Sequence, residues 1–196
     1  MKKHITVAVT GGIGSGKSFL TKILKSRGFS TLSCDEIAKT TLEMRKIKKE
    51  IKRIFPEVVS GRFSLTIDRQ KLADIVFADK SALIKLNALT HPVIIKETIK
   101  KAKKLPSPVF VEVPLLFEGR YENLFDKVVV VTRDKDKRIE SVIKRTNMTK
   151  EQVLSRMNNQ FNYDEEDLSN YIVISNDSGK EELEEKLYNL LQNLFS

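Results

Sequence analysis

At 196 residues with 40% hydrophobic side chains, the chain can bury one α/β core with a small inserted subdomain and is too short for several independent domains. Its longest apolar runs, such as Val128 to Val131, are far too short to span a bilayer, the N-terminal Met1-Lys2-Lys3-His4 lacks the apolar stretch of a secretory leader, and a single cysteine, Cys34, excludes an internal disulfide or a cysteine-rich metal site. Lysine and arginine outnumber aspartate and glutamate by 35 to 26, a formal charge of +9 that attracts anions, in a chain that reads as soluble and cytoplasmic.

The first element, His4 to Thr10, is an alternating β-branched strand. It meets a glycine cluster and then a helical pattern through Phe19, Leu20, Ile23 and Leu24, closed by Gly28. Phe29 to Ser33 forms a second strand, and one long helical pattern runs from Asp35 to Phe55, where Pro56 ends it. Residues 57–66 are irregular, and helical periodicity returns over Arg69–Phe77, Lys80–Leu89 and Pro92–Lys104. Strands resume at Val109–Val113, Lys127–Thr132 and Tyr171–Ile174, with helices between them and an amphipathic helix from Lys180 to Leu194. The basic segments Lys46–Arg53 and Lys96–Lys104 interleave lysines with isoleucines at helical spacing, so they read as solvated helix faces. Without tryptophan, and with no aromatic cluster among those lysines to stack bases, no nucleic-acid surface is expected.

Strands alternating with helices predict an α/β fold: a parallel five-stranded sheet with helices on both faces. Ligands of such sheets bind beyond the carboxyl ends of the strands. Three segments fall there: the glycine cluster, Cys34-Asp35, and Pro114-Leu115-Leu116-Phe117-Glu118.

Gly11-Gly12-Ile13-Gly14-Ser15-Gly16-Lys17-Ser18 satisfies G-x-x-x-x-G-K-[ST] between a strand and a helix, where a phosphate-binding P-loop belongs. Glycines let successive N–H groups curl inward onto phosphate oxygens, and the helix N-terminus adds a favourable dipole. Lys17 is expected to neutralise β- and γ-phosphate oxygens and Ser18 to coordinate Mg²⁺. The loop implies a nucleoside triphosphate without saying what receives the phosphate. A GTPase would carry Asn-Lys-x-Asp and D-x-x-G motifs, and neither is present. An adenylate-kinase type would usually carry Asp-Gly-aromatic-Pro-Arg after the third strand, where this chain reads Val111-Glu112-Val113-Pro114-Leu115-Leu116-Phe117-Glu118.

Over nearly its whole length the sequence resembles the dephospho-CoA kinase family, a branch of the P-loop kinases. The matching blocks are Thr10 to Ser18, Asp35-Glu36-Ile37-Ala38, Asp68-Arg69 with Leu72 and Val76-Phe77, His91-Pro92-Val93-Ile94, and Pro114 to Glu118. Arg145, Arg156 and Gln160, then Ile174 and Asn176, complete the pattern. Each block is weak alone, and their shared order and spacing are specific.

The resemblance implies a P-loop nucleotide-binding core formed by residues 1–35, 106–135 and 162–196, a helical acceptor-binding insert over 36–105, and a lid over 136–161. It implies ATP-dependent, Mg²⁺-assisted transfer to the ribose 3′-hydroxyl of dephospho-CoA, giving coenzyme A and ADP, the last step of coenzyme A biosynthesis. ATP would lie against Gly12, Ile13, Gly14, Ser15, Gly16, Lys17, Ser18 and Phe19, with Arg156 from the lid and Asn176 near adenine. Asn176 is otherwise a polar turn residue after a strand. Asp35 is the candidate base for the hydroxyl proton, with helix N-capping as the structural alternative. Thr10 matches a threonine placed near the reacting hydroxyl, although a strand-end threonine needs no such role. Arg69, His91, Leu115, Phe117 and Glu118 would contact the acceptor; His91 could instead cap or pack beside Pro92, and Leu115 could serve a buried apolar loop.

Two departures stand out. The family usually reads Asp-x-Asp where this chain has Ser33-Cys34-Asp35, so one carboxylate is missing. A frequent lid arginine is replaced by Ser141, which makes Arg138, one turn earlier, the candidate substitute beside Arg145; surface-helix roles are the alternative for each arginine. Glu112 stands where some P-loop enzymes keep a metal-organising acid, but the resemblance does not single it out. Two rival readings are another P-loop kinase acting on a nucleoside or small molecule, and a basic NTP-dependent nucleic-acid-binding protein.

Overall fold

The computed structural model of the chain describes residues 4–195; Met1, Lys2 and Lys3, on which the leader reading partly rests, lie outside them. The chain divides into two compact units, Met1–Ser33 with Ala102–Ser196, and Cys34–Lys101. The first unit opens with β1 (Thr6–Thr10), α1 (Lys17–Ser26) and β2 (Ser30–Ser33). In the second unit follow α2 (Cys34–Thr41), α3 (Arg45–Ile54), a short hairpin of β3 (Val59–Ser60) and β4 (Thr66–Ile67), α4 (Arg69–Ala78) and α5 (Lys80–Ala102). The first unit then resumes with β5 (Val109–Glu112), β6 (Lys127–Thr132), α6 (Lys135–Arg145), α7 (Lys150–Asn158), β7 (Ile172–Ser175) and α8 (Lys180–Phe195).

The five long strands form one parallel sheet in the order β2-β5-β1-β6-β7. The central strands β5, β1 and β6 are nearly continuously apolar because both faces are covered, whereas the edge strands β2 and β7 are only partly buried. Val7 and Val9 on β1, Phe110 on β5 and Val129 and Val131 on β6 meet Leu20 and Leu24 of α1 and Leu183 and Leu187 of α8 on one face. The alternate residues Ala8, Val111 and Val130 are equally inaccessible on the other. Ser33 and Val9 both stand in register with Glu112, so β1, β2 and β5 end at one edge of the sheet. That edge carries the site.

The second unit has its own core, in which Ile47 and Ile51 of α3 pack with Phe55, Val58, Leu72 and Val76. Here local structure departs from the sequence pattern twice. The expected helix over Asp35–Phe55 is two helices: Thr40 and Thr41 both return their hydroxyls to the Ile37 carbonyl at 2.9 Å, and the chain then tightens into i+3 turns at Glu43 and Met44. Met44 then restarts the helix from an extended conformation that neither glycine nor proline announces. Conversely, the two expected helices around Pro92 are one helix, α5. Pro92 removes the partner of the Ala88 carbonyl, yet Ala88 is exposed and water can serve that group instead. The last strand is displaced by one residue from Tyr171–Ile174 to Ile172–Ser175.

Leu187 on α8 is wholly inaccessible and packs in the main sheet core. Leu187→Ala should destabilise the protein by about 2–5 kcal/mol, from lost apolar transfer plus the residual cavity. Urea denaturation measures this, and a loss below about 1 kcal/mol would show that α8 does not seal that face of the sheet.

Candidate active site

Between β1 and α1 the chain cannot take ordinary side chains. Gly14 has φ +78° and Gly16 +102°, and a Cβ on them would lie 2.6 Å from the Arg138 carbonyl oxygen and 2.1 Å from Asn176 Nδ2. Gly16 is the N-cap of α1 and offers no side-chain cap, and no acidic residue stands in the first turn. The positive end of the helix dipole therefore faces the loop with no acidic side chain of its own turn to offset it, an arrangement that favours an anion. Ser15 Oγ is buried without a hydrogen-bond partner, as expected of a hydroxyl placed for a ligand oxygen. Lys17 Nζ donates to the carbonyls of Gly11 at 2.6 Å and Gly12 at 2.9 Å, which keeps the cation inside the loop.

The loop is braced from outside. Asn176, itself buried, donates to the Ser15 carbonyl at 2.9 Å, and Gln160 Oε1 accepts from the Ile13 amide at 2.8 Å. The Ile13 side chain packs against the α6–α7 core of Ile139, Val142 and Val153. Arg138 is 5% exposed and pairs through Nη2 with Asp164 at 2.5 Å. Its Nη1 lies 2.6 Å from where a Gly12 side chain would begin, and its Nε has no partner. A cleft of about 640 Å³ opens here, lined by Gly12, Lys135, Arg138, Gln160, Tyr163 and Asp164 among others. Thr10 is fully buried and its hydroxyl meets Tyr163 Oη at 3.1 Å.

Ser18 Oγ donates to Glu112 Oε1 at 2.6 Å, and Thr21 reaches the other carboxylate oxygen at 3.2 Å. The pairing in the sheet delivers Glu112 to the first turn of α1; its place in the sequence matches that of an acid in some P-loop enzymes, although the family blocks do not single it out. This all-oxygen set suits a hard cation such as Mg²⁺, which takes one or two carboxylates and fills its shell with phosphate and water.

Other expected residues are distributed differently. Arg145 and Arg156, on α6 and α7, are exposed and form no ion pair among the described residues. Phe19 is 38% exposed in the first turn of α1. Leu115 is half-buried, while its neighbour Leu116 enters the core. Phe117 packs on Phe161, Tyr163 and Tyr171 with centroid separations of 4.5, 5.9 and 5.0 Å, and Glu118 Oε1 accepts from the Phe161 amide at 2.9 Å. In the second unit Asp35 lies exposed in the first turn of α2, which begins at Cys34, so it is not the N-cap residue. Arg69 follows the N-cap Asp68 and donates to Glu43 at 2.6 Å and to the Lys39 carbonyl at 3.1 Å. Hydrogen bonding from Lys48, and then from Arg69, lowers the Glu43 pKa below the usual carboxylate range. His91 is half-buried within α5, and desolvation lowers its pKa. Tyr163 escapes sequence reasoning altogether, because a tyrosine in a polar stretch carries no periodic or motif signal.

These features coincide with a family relationship. The family model described as dephospho-CoA kinase matches residues 5–182. A dephospho-CoA kinase of Thermus thermophilus is 35% identical over 195 residues, covering 98% of this chain and 93% of that protein. A crystal structure of a Thermus thermophilus protein, 35% identical, superposes with a TM-score of 0.82 over 98% of this chain and 99% of its own. The dephospho-CoA kinase structure from Campylobacter jejuni, 30% identical, gives 0.68 with 96% of each chain covered. The chain belongs to the dephospho-CoA kinase family.

Proposed function

We propose that the protein transfers the γ-phosphoryl group of ATP to the ribose 3′-hydroxyl of dephospho-CoA in the cytoplasm, releasing coenzyme A and ADP. The observation that carries this reading is the glycine loop at the N-terminus of α1, with a buried Ser15 hydroxyl that has no partner among the described residues and with Lys17 and Arg138 converging on it, in a chain of this family. Gly12 to Ser18 would hold the triphosphate and Phe19 would border it. Mg²⁺ would bind Ser18 Oγ and Glu112, polarising the bridging phosphates, while Asn176 supports the loop near the base. Dephospho-CoA would be recognised by Arg69, His91, Leu115, Phe117 and Glu118. No described helix is long and apolar enough to cross a membrane.

Because phosphoryl transfer proceeds through a loose transition state, the protein's task is to position the groups and stabilise charge. Arg138 and Arg145 would face the transferring group and Arg156 the nucleotide. Asp35 would accept the hydroxyl proton; it follows the end of β2 by two residues in the chain, and it is exposed.

An ADP-release assay across hydroxyl acceptors tests the reaction. Dephospho-CoA should exceed adenosine by about 10²-fold or more in kcat/KM, since binding energy from the pantetheine arm helps to position the reacting hydroxyl. Equal values would favour a nucleoside kinase.

Asp35→Asn removes the charge with little change of shape. If Asp35 is the base, kcat should fall by about 10² to 10⁴ with ATP affinity nearly unchanged. A stable variant keeping more than about a tenth of wild-type kcat would remove it from that role.

Arg138→Ala should lower kcat by about 10-fold or more. An unchanged kcat there, with losses in Arg145→Ala or Arg156→Ala, would move the charge-stabilising role to those residues.

A further inference from the structure

Residues 160–164 touch the phosphate loop and its flanks at three points, through Gln160 to Ile13, Asp164 to Arg138 and Tyr163 to Thr10. The third contact joins two deeply buried hydroxyls, Thr10 at 0% and Tyr163 at 7% exposure. We propose that Tyr163 is a positioning residue for phosphoryl transfer: its phenol fixes the Thr10 side chain at the end of β1 and so holds the start of the phosphate loop in the geometry that transfer requires. The inference rests on the kinase reading above and extends it to a residue outside the loop.

A threonine hydroxyl has one proton and two lone pairs, and its χ1 chooses among rotamers unless a partner holds it. Thr10 is the last residue of β1, immediately before the loop, and Tyr163 is the only side chain that holds it among the described residues. The tyrosine ring is itself fixed. It stacks edge-on against Phe161 at 5.0 Å and lies beside Phe117 at 5.9 Å, and its Cδ2 is 3.6 Å from where a Gly12 side chain would start. Burial raises the phenol pKa to about 12, against the opposing hydrogen bond with Thr10. The group therefore stays a neutral donor at working pH and brings no negative charge toward the phosphates. Thr10 is wholly inaccessible, so the contact acts by fixing the strand end from which the phosphate loop starts. A one-ångström error in such a placement is costly to the rate and nearly silent in ground-state binding.

A double-mutant cycle tests the proposal. Tyr163→Phe keeps the ring and removes only the hydroxyl; kcat should fall about 5- to 20-fold while the ATP KM stays within about twofold. Thr10→Val should lose at least as much, and Tyr163→Phe should cost nothing further in that background. In a Thr10→Ser background, which retains the hydroxyl, Tyr163→Phe should again cost several-fold. ADP release without acceptor, where water replaces the acceptor hydroxyl, is measured for the same variants. A wild-type protein that hydrolyses ATP but does not phosphorylate dephospho-CoA would overturn the functional reading while this coupling is still measured. Wild-type kcat in Tyr163→Phe, fully additive losses, or a fall in Tm with kcat unchanged would overturn the proposal.

Discussion

A phosphate loop must turn its amides inward, and the backbone that does so passes through left-handed positions reserved for glycine. Such a loop has few side chains with which to hold its own shape. In this protein the stiffness comes from elsewhere: Asn176 after β7 holds the Ser15 carbonyl, Gln160 after α7 holds the Ile13 amide, and the α6 backbone at Arg138 closes over Gly14. The sheet supports this by ending β1, β2 and β5 at one edge. The anion cradle is therefore a property of the whole first unit, although its motif is eight residues long.

The same constraint sets the electrostatics. Lys17 is held by carbonyls of the loop it serves, and Arg138 is buried against that loop with Asp164 as counter-ion. A desolvated cation needs such partners, and a triphosphate offers stronger, charge-assisted ones. In the proposed reaction, binding would exchange one set of partners for another, without moving bare charge into the interior. The formal charge of +9 acts at longer range, drawing anionic substrates toward the protein in a salt-dependent manner.

The second unit is built by different means. Its core joins α3, the β3–β4 hairpin and α4 through Ile47, Ile51, Val58, Ile67, Leu72 and Val76. Glu43 gathers Lys48 and Arg69 at its surface, an exposed network that organises side chains more than it stabilises the fold.

The parallel sheet, the helix-rich insert and the phosphate loop were legible from the chain because they depend on local pattern: alternating β-branched strands, 3.6-residue periodicity, and glycines at fixed offsets before Lys17 and Ser18. Helix continuity was less legible. The helix breaks after Thr41 with neither glycine nor proline there, and the next one runs unbroken through Pro92, so neither followed from the nominal breakers. The braces were least legible. Tyr163 meets Thr10 across 153 residues, Asn176 meets Ser15 across 161 and Glu112 meets Ser18 across 94. Sequence by itself determined which backbone could bind phosphate, because a glycine's conformational freedom is a property of the residue. Only the tertiary structure decided what holds that backbone in place, because a hydrogen bond between distant residues exists only once strand order and helix packing have brought its partners within about 3 Å.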